Sequence, residues 1–292
     1  MRFAPKAVAA VSVMLTLGLL CAPSAQELKP FADTSRLVSI GGSLTEIIYA
    51  LGEENRLVAR DQTAVYPPAA LGLPDVGYMR ALAPEGVLSV SPTALLVIEG
   101  SGPPEALEVL AHGGVDYQAV PEGFSHQGIL TKVRAVGQAL DVEDKAEALA
   151  AELDAALSAV AARTAAITER KKVLFILSTQ GGKIQASGTG TAANGIIELA
   201  GALNAITDYS GYKALTEEAI IAASPDIILM MDRGGDHSAS DADLLSNPAI
   251  SLTPAGKNHA IIRLDGAYLL GFGPRTAAAV GELVDALYGK AQ

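Results

Sequence analysis

The chain of 292 residues is half hydrophobic and 18% charged, so it can bury a large core in one domain or in two. Its formal net charge of −11 disfavours nucleic acid and anionic membrane surfaces as partners. Cys21 is the only cysteine, which excludes an internal disulfide and a cluster of thiolate ligands.

Residues 1–25 are predicted to form a secretory signal peptide. A positively charged start is followed by an apolar run that ends near Cys21 and by small residues at Ser24 and Ala25. The run is shorter than the ~20 residues that a membrane span requires. Leu20 stands where a lipidation motif requires a small residue, so a lipoprotein is also disfavoured. We therefore expect an exported protein that is not embedded in a membrane.

An α/β lobe is predicted over residues 26–140. Short apolar runs alternate there with segments that carry the capping and stop signals of helices. The predicted strands are 37–40, 94–98 and 115–120, and the predicted helices are 43–51 and 104–112. This alternation is typical of a mostly parallel sheet covered by helices.

One long helix is predicted over residues 141–171, which contain neither glycine nor proline. Leu149, Leu153 and Leu157 fall on one helical face. A helix of about 28 residues would span ~42 Å, the length of a strut between two lobes. The apolar stripe is too short and too rich in alanine for a coiled coil.

A second α/β lobe is predicted over residues 172–292. The predicted strands are 173–177, 226–231 and 260–264, and the predicted helices are 192–199, 217–223 and 275–287. We thus predict an α/β fold in which one long connecting helix joins two Rossmann-like lobes. Such an arrangement leaves a cleft between the lobes, where small ligands preferentially bind.

The two predicted lobes share a local pattern. Glu85 stands seven residues before Pro92, and Glu218 stands seven residues before Pro225. In both cases a serine precedes the proline and a predicted strand follows it. The repetition indicates that the two lobes are built alike.

Motifs of catalysis are scarce, and we predict that the protein is not an enzyme. The sequence contains neither G-x-S-x-G nor H-E-x-x-H, and its four histidines lack the spacing of metal ligands. Residues 188–193 match the dinucleotide-binding pattern G-x-G-x-x-A. We interpret them as a glycine-rich turn that caps a helix; a nucleotide-dependent oxidoreductase is the alternative.

Tyr78 and Arg80 form the most informative short motif. In extended backbone the two side chains would point the same way and Met79 the opposite way. A phenolate is a hard oxygen donor suited to ferric iron, tyrosine is a known haem ligand, and a neighbouring guanidinium favours the phenolate form. From the tripeptide alone, a surface tyrosine beside an arginine in an ordinary ion pair is the simpler interpretation.

Four stretches resemble the periplasmic haem-binding proteins of bacterial haem ABC importers. They are 60–67, 76–80, 83–92 and 265–275. The resemblance covers nearly all of the chain after residue 25. The wider superfamily, which includes cobalamin- and siderophore-binding proteins, shares two α/β lobes and a rigid helical connector.

The resemblance implies roles for four residues. In the haem-binding family the tyrosine of this motif ligates the haem iron and the arginine supports it, which assigns these roles to Tyr78 and Arg80. In the wider family one exposed glutamate of each lobe docks on the permease, which assigns that role to Glu85 and Glu218. The resemblance further implies a monomeric periplasmic carrier with haem as its cargo and an ABC permease as its partner.

Some relatives hold a second haem with a histidine just after the first strand of the second lobe. Residues 178–182 contain no histidine, so we expect one haem. A carrier of cobalamin or of a ferric siderophore is the alternative within this class. Further residues that could line the cleft are, unranked, Tyr212, Lys213, Arg233 and Arg275.

Overall fold

The computed structural model describes residues 28–232 and 240–290. The predicted signal peptide and Arg233 lie outside these residues. No helix in the described part of the chain combines the length and the apolar character that crossing a bilayer requires.

The first lobe is built on a four-stranded parallel sheet in the order β2-β1-β3-β4. The strands are Leu37–Ile40 (β1), Leu57–Arg60 (β2), Ala94–Ile98 (β3) and Asp116–Val120 (β4). The helices are Gly42–Ala50 (α1), Pro84–Leu88 (α2), Pro104–His112 (α3) and His126–Ala139 (α4). Every residue of β1 and β3 is buried, as expected for strands covered by helices on both faces.

The connecting helix α5 spans Glu143–Ala165, which is 23 residues and about 34 Å. It ends earlier than the predicted 141–171 because the chain turns back to begin the second sheet. In that turn the Arg170 guanidinium donates to the carbonyl oxygens of Gly201 and Ala202 at 2.8 and 3.1 Å. The helix packs against α4 of the first lobe and, through an ion pair between Arg163 and Asp285, against the last helix of the second.

The second lobe contains a six-stranded mixed sheet in the order β10-β9-β5-β6-β8, with β7 paired to β5. The strands are Lys172–Ser178 (β5), Gln185–Ser187 (β6), Leu203–Asn204 (β7), Tyr212–Ala214 (β8), Ile227–Asp232 (β9) and Ile261–Asp265 (β10). The helices are Ala192–Leu199 (α6), Glu217–Ala223 (α7), Asp241–Ser246 (α8), Pro248–Ser251 (α9), Pro254–Lys257 (α10), Gly266–Leu270 (α11) and Thr276–Tyr288 (α12). The predicted α/β class is confirmed. The antiparallel pairing of β6 and β8 is a departure from a purely parallel sheet.

The repeated pattern of the sequence corresponds to a repeated local structure. The short helices α2 and α7 each lead to a serine in the left-handed conformation, Ser91 with φ 48° and Ser224 with φ 46°. A proline follows each serine, and the buried strands β3 and β9 come next. The two lobes are therefore built alike around Glu85 and Glu218.

One continuous hydrophobic core spans both lobes. Residues of α1 and α4 in the first lobe and of β5, α6 and α12 in the second belong to the same buried cluster. The rings of Phe124 and Phe272 meet edge to face across the junction, with centroids 5.2 Å apart. A Cβ on Gly195 of α6 would lie 2.3 Å from the carbonyl oxygen of Phe124, so the lobes touch backbone to backbone.

Gly195→Ala is expected to destabilise the protein by about 1–3 kcal/mol, because the added methyl group overpacks this contact. Gly281→Ala in α12 is the matched control, since its Cβ would meet only the Arg163 side chain at 3.8 Å. That change is expected to leave stability unchanged or to raise it by up to about 1 kcal/mol. Urea unfolding of both variants measures the difference, and equal stabilities would contradict the close contact between lobes.

Candidate functional site

Tyr78 and Arg80 lie together on the first lobe, although not in extended backbone. The Ala81 N–H donates to the Tyr78 carbonyl oxygen at 2.8 Å, so residues 78–81 form a tight turn. Within this turn Arg80 Nη1 donates to Tyr78 Oη at 3.2 Å. Met79 is half-buried and packs into the core, whereas Tyr78 and Arg80 are exposed.

Exposed apolar side chains are concentrated in the segment of the chain that leads to Tyr78. Of the eight exposed large hydrophobic side chains in the described residues, four lie between positions 65 and 78: Val65, Tyr66, Leu71 and Tyr78. Exposed apolar residues that are close in sequence and flank polar groups are typical of binding sites. This segment, which we call the apolar loop, therefore suits a large apolar ligand with an atom that a phenol can bind.

The apolar loop contacts the second lobe through Arg275. The guanidinium of Arg275 lies 3.8 Å from the ring centroid of Tyr66 and 5.2 Å from that of Tyr268. Its Nε donates to Glu46 of α1 at 3.0 Å, and its Nη2 donates to the other carboxylate oxygen. Arg275, one of the predicted cleft residues, thus connects the two lobes. Glu46 neutralises its charge.

A buried lysine also joins the lobes. Lys132 of α4 is fully buried, and its ammonium group has three acceptors: Glu122 Oε1 at 2.6 Å, Ser43 Oγ at 3.2 Å and the Phe272 carbonyl oxygen at 3.1 Å. Burial lowers the pKa of Lys132, whereas the charges of Glu122 and Glu46 raise it. An ammonium group has three hydrogens, so this one is fully satisfied.

Sequence reasoning missed Lys132, although a signal was present. Lys132 stands among Ile129, Val133 and Val136 on the apolar face of α4, where an unpaired charge would be costly. A lysine in such a position requires a buried acceptor. Only the tertiary structure shows that Glu122 supplies it.

Tyr212 of β8, in the second lobe, is half-buried. Burial raises the pKa of Tyr212, hydrogen bonds with Thr191 and Ala193 oppose that rise, and the charge of Arg80 also lowers it. Arg80 is therefore near enough to act on a hydroxyl of the other lobe. Nearby, Lys213 Nζ lies 4.9 Å from the ring centroid of Tyr209.

Residues 188–193 form a helix-capping turn. The Asn194 N–H donates to Thr191 Oγ1 at 3.0 Å, which caps α6. A Cβ on Gly188 would lie 2.1 Å from the Tyr209 carbonyl oxygen, so the glycine serves close packing. The preceding strand β6 is antiparallel to β5, whereas the dinucleotide-binding pattern follows a parallel strand. The geometry favours the capping interpretation over the oxidoreductase.

Glu85 and Glu218 occupy equivalent exposed positions in the first turns of α2 and α7. Hydrogen bonds from its own backbone N–H and from Thr216 lower the pKa of Glu218, so this carboxylate is charged at neutral pH. Neither residue belongs to an ion pair among the described residues.

Within residues 28–232 and 240–290, no group of three or more His, Cys, Asp or Glu side chains is placed to hold a metal ion. His112 contacts the carbonyl oxygen of Glu108 at 2.8 Å, and His126 contacts Asp154 at 2.7 Å. These histidines therefore have structural partners.

Comparison with known proteins identifies the fold. Residues 37–268 match the model of the family described as periplasmic binding protein. The periplasmic heme-binding protein RhuT from Roseiflexus sp. RS-1 is 38% identical, with a TM-score of 0.83 over 89% of this chain and 100% of that chain. The periplasmic heme-binding protein BhuT in complex with two hemes is 39% identical, with a TM-score of 0.82 over 86% and 97% of the two chains.

Two curated relatives are described as binding proteins as well. An uncharacterized ABC transporter substrate-binding lipoprotein, YvrC of Bacillus subtilis, is 27% identical over 88% of this chain and 81% of its own length. A vitamin B12-binding protein of Vibrio cholerae is 34% identical over 30% of this chain and 31% of its own length.

Lys132→Met is expected to lower the free energy of unfolding by about 3 kcal/mol, because it leaves the Glu122 carboxylate without its partner. The double variant Lys132→Met/Glu122→Gln should recover part of that loss, since the unpaired charge is gone. Lys145→Met is the control, because Lys145 is half-exposed in its pair with Glu53 and should cost at most about 1 kcal/mol. Denaturant unfolding measures all three, and an additive double variant would contradict the buried pair.

Proposed function

The chain belongs to the periplasmic binding protein family, and from that premise we propose that it captures haem in the periplasm and delivers it to the permease of an ABC importer. The proposal depends on the hydrogen bond that Arg80 Nη1 donates to Tyr78 Oη at the end of the apolar loop. The near-full-length similarity to two heme-binding proteins at 38% and 39% identity supports it.

Tyr78 is the proposed ligand of the ferric haem iron. The Tyr78 side chain is 39% exposed, so its oxygen can approach a ligand in the cleft. The Arg80 guanidinium donates a hydrogen bond to that oxygen, and a tyrosine oxygen is a hard donor suited to ferric iron. The pair binds and orients the cargo and carries out no reaction.

The apolar loop is proposed to contact the porphyrin face. Val65, Tyr66 and Leu71 expose apolar area that is removed from water when a planar macrocycle lies on it. We propose one haem per chain, although BhuT is a relative solved with two hemes.

Cobalamin is the second candidate cargo, because of the match to a vitamin B12-binding protein. The heme-binding proteins RhuT and BhuT are 38% and 39% identical over 89% and 86% of this chain, whereas a vitamin B12-binding protein of Vibrio campbellii that matches 77% of it is 22% identical. A cargo without ferric iron has no use for a phenolate supported by a guanidinium. The arrangement of Tyr78 and Arg80 therefore favours haem.

Release of the cargo is proposed to require the permease. The shared core and the buried Lys132 junction oppose spontaneous separation of the lobes. Glu85 and Glu218 present one exposed carboxylate on each lobe, where basic groups of the permease can bind both lobes at once. Docking would then supply the free energy that moves the lobes apart.

Tyr78→Phe is expected to weaken ferric haem binding by at least about tenfold, or about 1.4 kcal/mol, because it removes the iron ligand and keeps the ring. The absorption spectrum of the wild type should show a saturable one-to-one, high-spin tyrosinate signature that the variant lacks. Tyr66→Phe is the matched control, since Tyr66 lies in the same loop and is 41% exposed. It should bind as the wild type does.

Three outcomes of this titration contradict the proposal in different ways. A wild type without saturable haem binding removes haem as the cargo, and cyanocobalamin and ferric siderophores are then titrated. Equal spectra for the wild type and Tyr78→Phe place the iron ligand elsewhere. A two-to-one endpoint contradicts the single haem.

The double variant Glu85→Lys/Glu218→Lys is expected to abolish uptake of haem through the reconstituted importer while haem affinity stays unchanged. Like charges at the docking surface oppose complex formation. Glu105→Lys/Glu143→Lys is the matched control, since both residues are exposed in first helical turns but lie outside α2 and α7. Full transport by the Glu85 and Glu218 variant would exclude the docking role.

A further inference from the structure

The segment Arg60–Thr63 has no role in the function proposed so far, although it opens one of the stretches that carry the family resemblance. It begins at the last residue of β2 and continues beyond the carboxyl end of that strand. The Asp61 N–H donates to the carbonyl oxygen of Ser39 in the adjacent strand β1 at 3.2 Å. The segment is therefore fixed to the edge of the sheet near which the Tyr78 turn lies.

The Asp61 carboxylate is fully buried and collects several donors. Oδ1 accepts the Gly41 N–H and the Thr63 hydroxyl, each at 2.9 Å, and Oδ2 accepts the Thr63 N–H at 2.9 Å. The carboxylate thereby fixes Thr63, which contacts Met79. Burial raises the pKa of Asp61, and these hydrogen bonds oppose the rise.

The contact with Met79 is important because Met79 stands between Tyr78 and Arg80 in the chain. On the other side of Tyr78, the Gln62 N–H donates to the Gly77 carbonyl oxygen at 2.8 Å. Thr63 Oγ1 also contacts Met79 Sδ at 3.9 Å. The segment thus holds the residue before Tyr78 and the residue after it.

The Tyr78 side chain has little else to set its direction. The ring is 39% exposed, and its hydroxyl accepts a hydrogen bond from Arg80, which is itself exposed. An exposed side chain has few packing contacts that select one rotamer. The direction in which the phenol points therefore depends on the backbone that Asp61 holds.

We propose that Asp61 is the positioning residue of the ligand-binding turn: its buried carboxylate ties the start of α1 to Thr63, which contacts Met79, and so aims the Tyr78 oxygen at the haem iron. This inference rests on the function proposed above. Groups that orient a metal ligand through a hydrogen bond typically change metal affinity by roughly 10- to 100-fold when they are removed.

Asp61→Asn tests this role, because the amide keeps the shape of the carboxylate and replaces one acceptor oxygen with a donor. That donor would face a backbone N–H that needs an acceptor. The variant is expected to bind ferric haem roughly 10- to 100-fold more weakly than the wild type. Its absorption and resonance Raman spectra should lose or shift the iron–phenolate signature.

Thr45→Val is the matched control for a loss of stability without a loss of positioning. Thr45 is fully buried in α1 and donates to Ser39 Oγ at 3.0 Å, but it makes no hydrogen bond to the Tyr78 turn. It should lower the melting temperature as Asp61→Asn does and leave the haem spectrum and affinity unchanged. An Asp61→Asn protein with the wild-type spectrum and affinity would overturn the proposal.

A second pair of variants decides the question if Asp61→Asn does not fold. Thr63→Val removes the hydroxyl that donates to Asp61, and Thr63→Ser restores it. We expect Thr63→Val to weaken haem binding and shift the spectrum, and Thr63→Ser to match the wild type. Equal behaviour of the two variants would exclude the positioning role, whereas a wild type without Tyr78-dependent haem binding would instead defeat the function on which the role rests.

Discussion

The buried ammonium group of Lys132 joins the two lobes, and the geometry of the candidate site depends on that junction. It donates to Glu122 and Ser43 of the first lobe and to the carbonyl oxygen of Phe272 of the second lobe, so a single ammonium group is hydrogen-bonded to both lobes. A buried charge is stable only while its partners stay in place. The junction, together with the core that runs through both lobes, therefore holds the walls of the cleft at one separation.

Helix α1 transmits this constraint toward the site. Glu46 of α1 binds Arg275 of the second lobe, and Ser43 of α1 accepts from the Lys132 ammonium group. The N–H of Gly41, just before α1, binds the Asp61 carboxylate. The same carboxylate holds Thr63, which contacts Met79 in the Tyr78 turn. An exposed loop thus acquires a defined position from a rigid framework, which is how binding groups on loops are usually held.

The sequence predicted most of the fold because local physics determines the elements concerned. The buried runs of β1 and β3 are typical of a covered parallel sheet, and the glycine-free segment around Leu153 is typical of a helix. The strand β2 and the helix α4 were not predicted. β2 is short and ends on the charged Arg60, and α4 contains two glycines, so neither has a strong local signal.

Residues close together in the chain are sufficient to predict the α/β class, the repeated unit around Glu85 and Glu218, and the pairing of Tyr78 with Arg80. Long-range packing, in contrast, places Glu46 against Arg275 and buries Asp61 and Lys132 with their partners. Those contacts join residues as far apart as 229 positions. No local preference specifies them, because they exist only after the lobes have packed.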